Sequence, residues 1–363
     1  MKILFEGFYG FKNTGDDAFV EVSSWGSEKY WNCKNNVFLG ESIPETVHKI
    51  NTRQILSHIR GFDRLNFLAH LTNADYLISS GGSTFSELPF HSNKTLSRHY
   101  KKIRKDLKLG AIGVSIGPFK NSQAEKVVKL HLESLNFLSV RDSRSFHYVN
   151  SLTLPYKPIN SFDLAALLPL VYNNSIATES NQEIIGISIC NHERYNNGDL
   201  SKEKRRNLFF RELIELVEKN TNVHFKVFII NGHKIIGDEE VTKQLISNID
   251  KNRISIVPYL NNVSETWKEI NKCKLIISTR LHASIFACYA NIPFFLIEYH
   301  KKCTDFVLDV GQDETYRLYD AEVSPKYAFE KINEILNGNY IKPKYVNKTI
   351  ELSKKNFTAH NIT

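Results

Sequence analysis

The stretch Lys274–Tyr299, "KLIISTRLHASIFACYANIPFFLIEY", decides the fold. It contains two short apolar runs, "KLIIST" and "IPFFLIEY", with an apolar segment of helical type, "SIFACYA", between them. Near-continuous apolar runs of this length are typical of parallel strands buried on both faces. A strand, a helix and a second strand in this order form a parallel βαβ unit. The stretch therefore predicts a parallel sheet covered by helices.

The same alternation of apolar runs and helical segments continues before this stretch. The runs are "KILFEG", "NNVFLG", "DYLISSGG", "AIGVSIG" and "NFLSVRD" in the first half, then "EIIGISI", "HFKVFIING" and "RISIVPY" in the second. We therefore predict an α/β protein with two Rossmann-like, doubly wound domains. Two such domains facing one another make a cleft at the carboxyl ends of their strands, where ligands bind in open α/β sheets.

The chain of 363 residues is long enough for two domains. Residues 171–182 lose the hydrophobic periodicity and gather Asn, Ser and Thr, which predicts a linker. We expect an N-terminal α/β domain over residues 1–172 and a C-terminal α/β domain over residues 183–325. Residues 326–363 are predicted to form two helices that pack back on the N-terminal domain.

The formal net charge of +8 favours anionic partners. No nucleic-acid-binding signature is present, so we expect no nucleic-acid partner. The Lys-rich stretch over residues 342–355 permits peripheral contact with an anionic membrane surface, although a solvated helix face is the simpler interpretation.

The five cysteines are widely spaced and include no C-x-x-C pair, which predicts reduced thiols. No His or Cys motif has the spacing of metal ligands, so we expect no metal. The N-terminus lacks a secretory pattern, and the longest apolar stretch is too short to span a bilayer. We expect a cytoplasmic protein that works there or at the inner face of the membrane.

Arg280 and His282 are the most informative candidates for a functional site. They stand between a predicted buried strand and an apolar helix, where burial of either side chain is costly. If the helix begins near Leu281, both lie at its N-terminus, where the unpaired amides and the dipole attract anions. The Arg280 guanidinium suits a carboxylate or a phosphate, and the local positive field favours a neutral His282 that can accept a proton. The alternative is a capped helix with satisfied polar groups.

Three turns of the first domain contain further candidates. In "GFYGFKNTGDDAF", Asn13 and Asp16 can bind a ligand or cap the next helix, and the spacing of the glycines disfavours a dinucleotide site. In "ISSGGSTFSE", backbone amides around Gly82 and Ser83 can hold an anion or a sugar hydroxyl, with a helix opening at Ser83. In "SVRDSRSF", Arg141 either contacts a ligand or forms a salt bridge, and the salt bridge has slightly more weight.

Lys302 follows the last strand of the quoted stretch, at the same predicted edge of the sheet. It supplies a second point charge for a phosphate, or else it is one of a solvated lysine pair. We also place Ser278, in the turn before Arg280, among the candidate donor-binding residues.

Taken in order, several blocks resemble the polysaccharide pyruvyl transferase family. They are "GFYGFKNTGDDAF", "SSGGSTFSE", "GVSIGP", "SVRDSRS", "STRLHASIFA" and "IEYHKKCTDFVLDVG", and they span most of the chain. The resemblance implies a GT-B-like fold and transfer of a pyruvyl group from phosphoenolpyruvate to a sugar of a cell-surface polysaccharide or glycolipid precursor, as a ketal. Phosphoenolpyruvate is then a co-substrate, and no cofactor or metal is needed.

The resemblance also implies roles for individual residues. The family's Arg-Leu-His block, which binds the donor and carries catalysis, falls on Arg280, Leu281 and His282. The family's lysine after the next strand falls on Lys302. The glycan or lipid-linked sugar acceptor is expected on the N-terminal domain, at the residues named in its three turns: Asn13, Asp16, Gly82, Ser83 and Arg141.

One departure from the family pattern keeps other functions open. An arginine commonly follows the strand that opens the second domain, but "GISICNHERY" has Cys190 and Asn191 there and Arg194 farther on. A GT-B-type glycosyltransferase that uses a nucleotide sugar is therefore the main alternative, because its diphosphate would bind the same cations. A catalytically silent glycan-binding protein is the third, and retention of Arg280 and His282 argues against it.

Overall fold

The structure is a computed structural model that describes residues 1–48, 51–54, 62–173, 183–320, 322 and 324–362, with the backbone alone for 51–54. Most of the predicted linker, residues 174–182, lies outside the described residues. The chain divides into two compact units. The first unit comprises Met1–Phe11, Asp16–Val171 and the C-terminal segment from Asn347, and the second comprises Lys12–Gly15 and Tyr172–Val346.

The first unit contains a parallel sheet of seven strands among the described residues. These are β1 (Ile3–Glu6), β2 (Asn36–Gly40), β3 (Asn51–Gln54), β4 (Tyr76–Ser80), β5 (Lys108–Val114), β6 (Phe137–Val140) and β7 (Ile159–Asn160). Their order is β3-β2-β1-β4-β5-β6-β7, and every pair is parallel. This order contains the Rossmann arrangement, in which strands are added on one side of β1 as far as β3 and then on its other side from β4 onward.

The second unit contains a parallel sheet of six strands, again among the described residues. These are β8 (Ile184–Ser188), β9 (His224–Phe228), β10 (Ile254–Val257), β11 (Leu275–Ser278), β12 (Phe294–Glu298) and β13 (Leu318–Tyr319). The order β10-β9-β8-β11-β12-β13 repeats the Rossmann arrangement. The prediction of an α/β protein with two doubly wound sheets is confirmed.

Helices occupy most of the connections between strands. They are α1 (Thr14–Trp31), α2 (Phe62–Leu71), α3 (Asn93–Lys101), α4 (Ser122–Leu132), α5 (Ser143–Asn150), α6 (Leu168–Val171), α7 (Leu200–Asn220), α8 (Glu239–Ile246), α9 (Val263–Asn271), α10 (Leu281–Tyr289), α11 (Lys301–Val310), α12 (Pro325–Leu336) and α13 (Val346–Thr358). Short 3-10 helices span Leu164–Leu167, Glu193–Tyr195, Lys251–Arg253 and Glu314–Tyr316.

Each sheet has its own buried core. The interior strands consist mostly of Ile, Val, Leu and Phe, so both of their faces exclude water and favour packing under helices. Representative core residues are Leu4, Leu77, Ala111 and Leu138 in the first unit and Ile187, Val227, Ile277 and Phe295 in the second. The carboxyl ends of the strands are therefore held in fixed positions.

The two C-terminal helices belong to different units. Helix α12 packs against α7 in the second unit, whereas α13 belongs to the first. On α13, the buried Asn356 side chain accepts hydrogen bonds from the Gly113 amide (2.7 Å) and the Ser161 hydroxyl (2.8 Å), and it donates to the Phe162 carbonyl (2.9 Å). Gly113 has φ +60°, at an irregularity in the pairing of β5 with β6, so Asn356 satisfies an amide there.

Candidate functional site

The turn from β11 to α10 presents Arg280 at the carboxyl edge of the second sheet. Helix α10 begins at Leu281, as predicted, with Arg280 as its N-cap residue. The Arg280 side chain makes no capping hydrogen bond. Helix α10 is therefore capped without help from the Arg280 side chain.

Arg280 is held by Asp238, the residue before α8. The Arg280 Nε atom donates to both carboxylate oxygens of Asp238 at 3.0 and 2.9 Å, and Nη2 also donates to Oδ1. Asp238 is fully buried, whereas 20% of the Arg280 side chain is exposed. Burial raises the pKa of the Asp238 carboxyl group, and Arg280 opposes this by stabilising the carboxylate. Within the described part of the chain, Arg280 Nη1 makes no hydrogen bond, so one edge of the guanidinium is available to a ligand.

Sequence reasoning missed Asp238. An Asp directly before a helix normally indicates an N-cap, but here its side chain makes no capping bond. Its carboxylate accepts from the Asn231 amide at 2.9 Å as well as from Arg280. Asn231 in turn pairs with Asn13 in an isolated antiparallel bridge. Asn13, a predicted site residue, therefore lies beside Asn231, the residue that is hydrogen-bonded to Asp238 in the second unit.

Asn13 and its neighbours are fixed by backbone hydrogen bonds. The Thr14 amide donates to the Ile230 carbonyl (3.0 Å), and the Gly232 amide donates to the Lys12 carbonyl (2.8 Å). The Asn13 side chain accepts from the Gly15 amide at 3.2 Å, so Asn13 rather than Asp16 acts as the cap of α1. Asp16 lies in the first turn of the helix.

His282, in the first turn of α10, packs against Gly15. A Cβ atom added to Gly15 would lie 2.1 Å from His282 Nδ1, so any side chain at that position would displace the imidazole. The imidazole also makes an edge contact with Phe286, with 6.5 Å between ring centroids. Glycines in this turn permit close approach to the backbone, and at Gly15 the group that approaches is the His282 imidazole.

Lys302 lies in the first turn of α11, after β12, and is half-buried. Among the described residues it forms no ion pair, unlike Lys301, which lies 3.4 Å from Asp305. The Lys302 amide donates to Nδ1 of His300, the N-cap residue, at 3.2 Å. The alternative of a solvated lysine pair therefore fits Lys301 better than Lys302.

The other two predicted donor residues are buried. Ser278 is completely buried, and its hydroxyl donates to the Arg280 carbonyl at 3.0 Å and lies 2.8 Å from the Ser284 hydroxyl. We correct its role accordingly, because this hydroxyl supports the turn and is not open to a donor. Leu281 is 7% exposed and lies between Arg280 and His282 in the turn.

In the first unit, Arg141 is the centre of a buried polar network. Its Nη1 donates to Asp163 (2.6 Å), its Nε to Ser115 (2.7 Å) and its Nη2 to Ser83 (3.0 Å). All three nitrogens are used and the side chain is 7% exposed, so the salt-bridge interpretation describes Arg141 better than direct acceptor contact. Asp142 caps α5 by accepting from the Ser145 amide (2.7 Å), and the same oxygen lies 3.7 Å from Nη2 of Arg144.

The turn at Gly82 and Ser83 differs from the prediction. The helix expected to open at Ser83 begins ten residues later, at Asn93, with Ser92 as its N-cap. This correction removes the helix N-terminus that we expected to hold an anion here. Gly82 has φ +80° and its carbonyl accepts from the Ser115 amide at 3.0 Å, while the exposed Ser83 accepts from Arg141.

The position after β8 contains no ligand-facing arginine among the described residues. Cys190 is buried, and its amide donates to the Thr279 hydroxyl at 2.8 Å. Arg194 donates to Glu203 through Nε at 2.6 Å. Arg194 is therefore tied to Glu203 of α7 through Nε, and 41% of its side chain is exposed.

The described residues provide neither a cluster of metal ligands nor a helix suited to cross a bilayer. No group of three or more His, Cys, Asp or Glu side chains is placed to hold a metal ion. Within the described ranges, no helix combines the length and the apolar character needed to cross a bilayer.

Comparison with protein families decides the classification. The model of the polysaccharide pyruvyl transferase family matches residues 10–301, which is most of the chain. The chain belongs to this family. The matched range of this pyruvyl transferase family member contains Asn13, Arg141, Arg280 and His282. A comparison with curated proteins found no significant match.

Solved structures show the fold of this pyruvyl transferase family member. It is similar to UDP-GlcNAc 2-epimerase from Neisseria meningitidis bound to UDP-GlcNAc, with TM-score 0.62, 13% identity and coverage of 99% of this chain and 98% of that one. The epimerase from Methanocaldococcus jannaschii gives TM-score 0.61, 12% identity and coverage of 94% and 95%. The wall teichoic acid polymerase TagF gives TM-score 0.55 and 10% identity, with coverage of 99% of this chain and 86% of that one. The predicted GT-B-like fold class is confirmed.

Proposed function

We propose that this chain transfers a pyruvyl group from phosphoenolpyruvate to two hydroxyls of one sugar unit, which forms a cyclic ketal. The acceptor is a polysaccharide or lipid-linked precursor of the cell surface. Family membership supports pyruvyl transfer in polysaccharide synthesis. The donor and the ketal rest on the chemistry of the second unit.

The observation that carries the proposal is the placement of Arg280. Asp238 binds the Nε and Nη2 edge of the guanidinium and so fixes the orientation of the Arg280 side chain. Asp238 makes no contact with Nη1, so the positive charge is not fully paired. The remaining edge, at Nη1, suits the planar carboxylate of phosphoenolpyruvate. A preorganised cation of this kind stabilises negative charge in the transition state more than a mobile one does.

The reaction needs proton transfers that His282 can provide. One sugar hydroxyl adds to C2 of the enol while the methylene carbon takes a proton, which gives a tetrahedral adduct. The bond from C2 to the phosphate oxygen then breaks, phosphate leaves, and a second hydroxyl bonds to C2 and loses its proton. We assign these proton movements to the His282 imidazole, which has room beside Gly15 because that residue lacks a side chain.

The acceptor is assigned to the polar edge of the first sheet. Ser83 is exposed there, and Arg141 positions its hydroxyl. We propose that Ser83 and Asp16, both in the first unit, contact sugar hydroxyls of the acceptor. Arg141 is assigned a positioning role because its three nitrogens are already bonded.

A nucleotide-sugar glycosyltransferase is the second candidate. It is favoured by Cys190 and Asn191 at the position where the family commonly has an arginine. The structural similarity to a UDP-GlcNAc-bound epimerase is consistent with it, but similarity at this identity extends to the fold alone.

The test is a donor screen. The purified chain is incubated with a panel of glycan acceptors and either phosphoenolpyruvate or nucleotide sugars, and mass spectrometry reports the group added. We expect an added pyruvyl ketal and released phosphate with phosphoenolpyruvate alone. His282→Gln should lower turnover by at least about 100-fold and change donor affinity little. The matched control His224→Gln, on β9, should leave turnover unchanged.

One result would overturn the proposed reaction, and a second would overturn only the role assigned to His282. Transfer of a sugar from a nucleotide donor would establish the glycosyltransferase instead. Full turnover by His282→Gln would remove the role of the imidazole while leaving pyruvyl transfer intact. The cytoplasmic location, the contact with an anionic membrane surface and the independence from metal stay predictions.

A further inference from the structure

His192 lies in a cluster of aromatic rings beside the candidate donor site. It follows β8, and its imidazole makes edge contacts with Tyr299 and His300 at centroid distances of 5.0 and 5.5 Å. Tyr299 and His300 follow β12, so two strand ends of the second sheet meet here. His192 is half-buried, and its Nδ1 lies 3.3 Å from the Asn196 side-chain amide.

The charges around His192 are predominantly positive. Lys302 from α11, Arg206 from α7 and Arg280 from the turn after β11 all act on the imidazole. Glu193, the next residue, acts in the opposite direction. Burial and then Lys302 are the main causes that lower the pKa of His192, and both favour the neutral imidazole.

Most of the nearby charges have partners in the protein. Arg206 is 2% exposed, pairs with Glu193 and with Asp320 (3.1 Å), and stacks over Tyr299 at 5.1 Å. Glu203 from α7 accepts from the His192 amide at 3.0 Å, which fixes the backbone. Lys302 differs, because no carboxylate lies within ion-pair distance of it in the described part of the chain. A half-buried amine without a counterion indicates a site for an anion from outside the protein.

Binding of a dianion would change the net electrostatic field at His192 from positive to negative. The positive field of Lys302 disfavours a second cation, but a phosphate between the two groups would supply more negative charge than Lys302 supplies positive. Protonation would then convert the imidazole into a second charged hydrogen-bond donor for the phosphate. We propose that Lys302 and His192 form a phosphate-binding subsite, in which His192 takes up a proton from solvent when a phosphate dianion binds.

This subsite supplies the cation that the chain lacks after β8. The arginine expected there is absent, and His192 stands two residues beyond Cys190 on the same connection. The identification of the ligand as the donor's phosphoryl group rests on the proposed function. Binding of inorganic phosphate does not, because it depends on the charges alone.

The experiment is calorimetric titration of the full chain at pH 7.5 with phosphoenolpyruvate and, separately, inorganic phosphate. Each titration is repeated in two buffers of different ionisation enthalpy, so that the heat reports the protons taken up. We expect uptake of up to about one proton per site with either ligand. His192→Asn should abolish the uptake and weaken binding by about tenfold, and Lys302→Met should weaken binding at least as much.

His224→Asn is the matched control. The pKa of His224 is also lowered, by burial and then by Lys226 and Arg253, but its imidazole lies on β9 and pairs with Ser255 at 2.9 Å. This variant should keep the wild-type proton uptake and affinity. Equal loss in both variants would mean that the change is a general effect on the second unit and would overturn the proposal.

The remaining outcomes separate the subsite from the proposed function. If phosphoenolpyruvate binds without proton uptake, or if His192→Asn retains the uptake, the subsite is wrong and the donor assignment stands. If inorganic phosphate binds with uptake that depends on His192 but phosphoenolpyruvate is never consumed, the subsite stands and the proposed function fails. If neither ligand binds, the subsite is wrong.

Discussion

Each unit has an arginine paired with an aspartate at the carboxyl edge of its sheet, and the two pairs are used differently. Arg141 in the first unit donates through all three nitrogens, to Asp163, Ser115 and Ser83. Arg280 in the second unit donates through two, both to Asp238, and its side chain is more exposed, at 20% against 7%.

This difference suggests a criterion for separating a structural ion pair at a strand end from one that is a candidate for ligand binding. The residue types are the same and both arginines follow a strand at the carboxyl edge of a sheet, although the strands are not equivalent: Arg141 follows β6 and Arg280 follows β11, next to the central β8. What distinguishes them is whether the hydrogen-bonding capacity of the guanidinium is used up within the protein. Arg141 links strand ends and uses all three of its nitrogens. Arg280 also links two segments, but its Nη1 atom makes no hydrogen bond within the described residues.

The largest expected effect comes from Arg280→Lys. A lysine amine can still neutralise Asp238, but it is a point charge without a second edge for the donor's carboxylate. We expect kcat/KM for pyruvyl transfer to fall by about 1,000-fold while the unfolding transition moves little. The matched variant Arg141→Lys should lose less than about tenfold in kcat/KM. Equal losses in kcat/KM would contradict the distinction between the two pairs.

The next effect is a loss of stability from Asp163→Ala. This change leaves the Arg141 charge buried without its counterion and also removes a cap, since Asp163 accepts from the Ala165 amide at 3.0 Å. The free energy of unfolding of the first unit should drop by about 3 kcal/mol. Urea unfolding in a Trp267→Phe background measures it, because Trp25 and Trp31 of the first unit are then the remaining tryptophans.

A double variant provides the control for this prediction. Adding Arg141→Met to Asp163→Ala removes the stranded charge and should restore much of the lost stability. A double variant that is less stable than Asp163→Ala alone would mean that Arg141 stabilises the fold without its partner.

Gly15→Ala should have a smaller effect, confined to the second unit. The added methyl group would overlap the His282 imidazole, which must then move by an ångström or more. A displacement of this size in a catalytic group should lower turnover by about 30-fold. In a His282→Gln background the same substitution should cost little further turnover, and an undiminished 30-fold loss there would show that Gly15 acts through something other than the imidazole.

The smallest expected effect is a response of the first unit to acid. Burial, followed by the charges of Lys94, Arg98 and Lys101, lowers the pKa of His131 to about 3, against about 6.5 in the unfolded chain. As the pH falls below about 6.5, the unfolded chain binds a proton that the folded chain does not, so stability falls. From pH 7.5 to 5.5 the loss from His131 should be about 1 kcal/mol.

His131→Leu isolates this contribution. The variant should show a shallower dependence of unfolding free energy on pH over the same range in the Trp267→Phe background. Part of the slope should remain, because burial also lowers the pKa of His360 in the first unit, to about 4. An unchanged slope would mean that His131 is not neutral in the folded state.

The interior strands of each sheet and the edge strand β10 could be predicted from the sequence, but the other three edge strands could not. Strands such as β4 and β11 are nearly continuous apolar runs because both of their faces are covered. The missed strands β3, β7 and β13 have only four, two and two residues, in the sequences "NTRQ", "IN" and "LY", which is too short for a recognisable apolar run. Edge strands bury less surface, so their residues are less constrained by hydrophobicity.

The candidate site was predictable where its residues are local. Arg280 and His282 were recognised from an unusual placement within one turn, and the helix does begin at Leu281. Asp238 and Asp163 were missed because they lie 42 and 22 residues from the arginines that they hold. A single sequence gives no sign of such pairs, since an aspartate before a helix indicates a cap just as well.

The position of Asn356 affects the order in which the protein can be completed on the ribosome. Its hydrogen bonds to Gly113 and Phe162 belong to the first unit, but the Tyr172–Val346 segment of the second unit is synthesised in between. At about 5–20 residues per second, translation of that segment takes on the order of ten to thirty seconds. For that time the nascent first unit lacks its last helix, and the Gly113 amide must be satisfied by water.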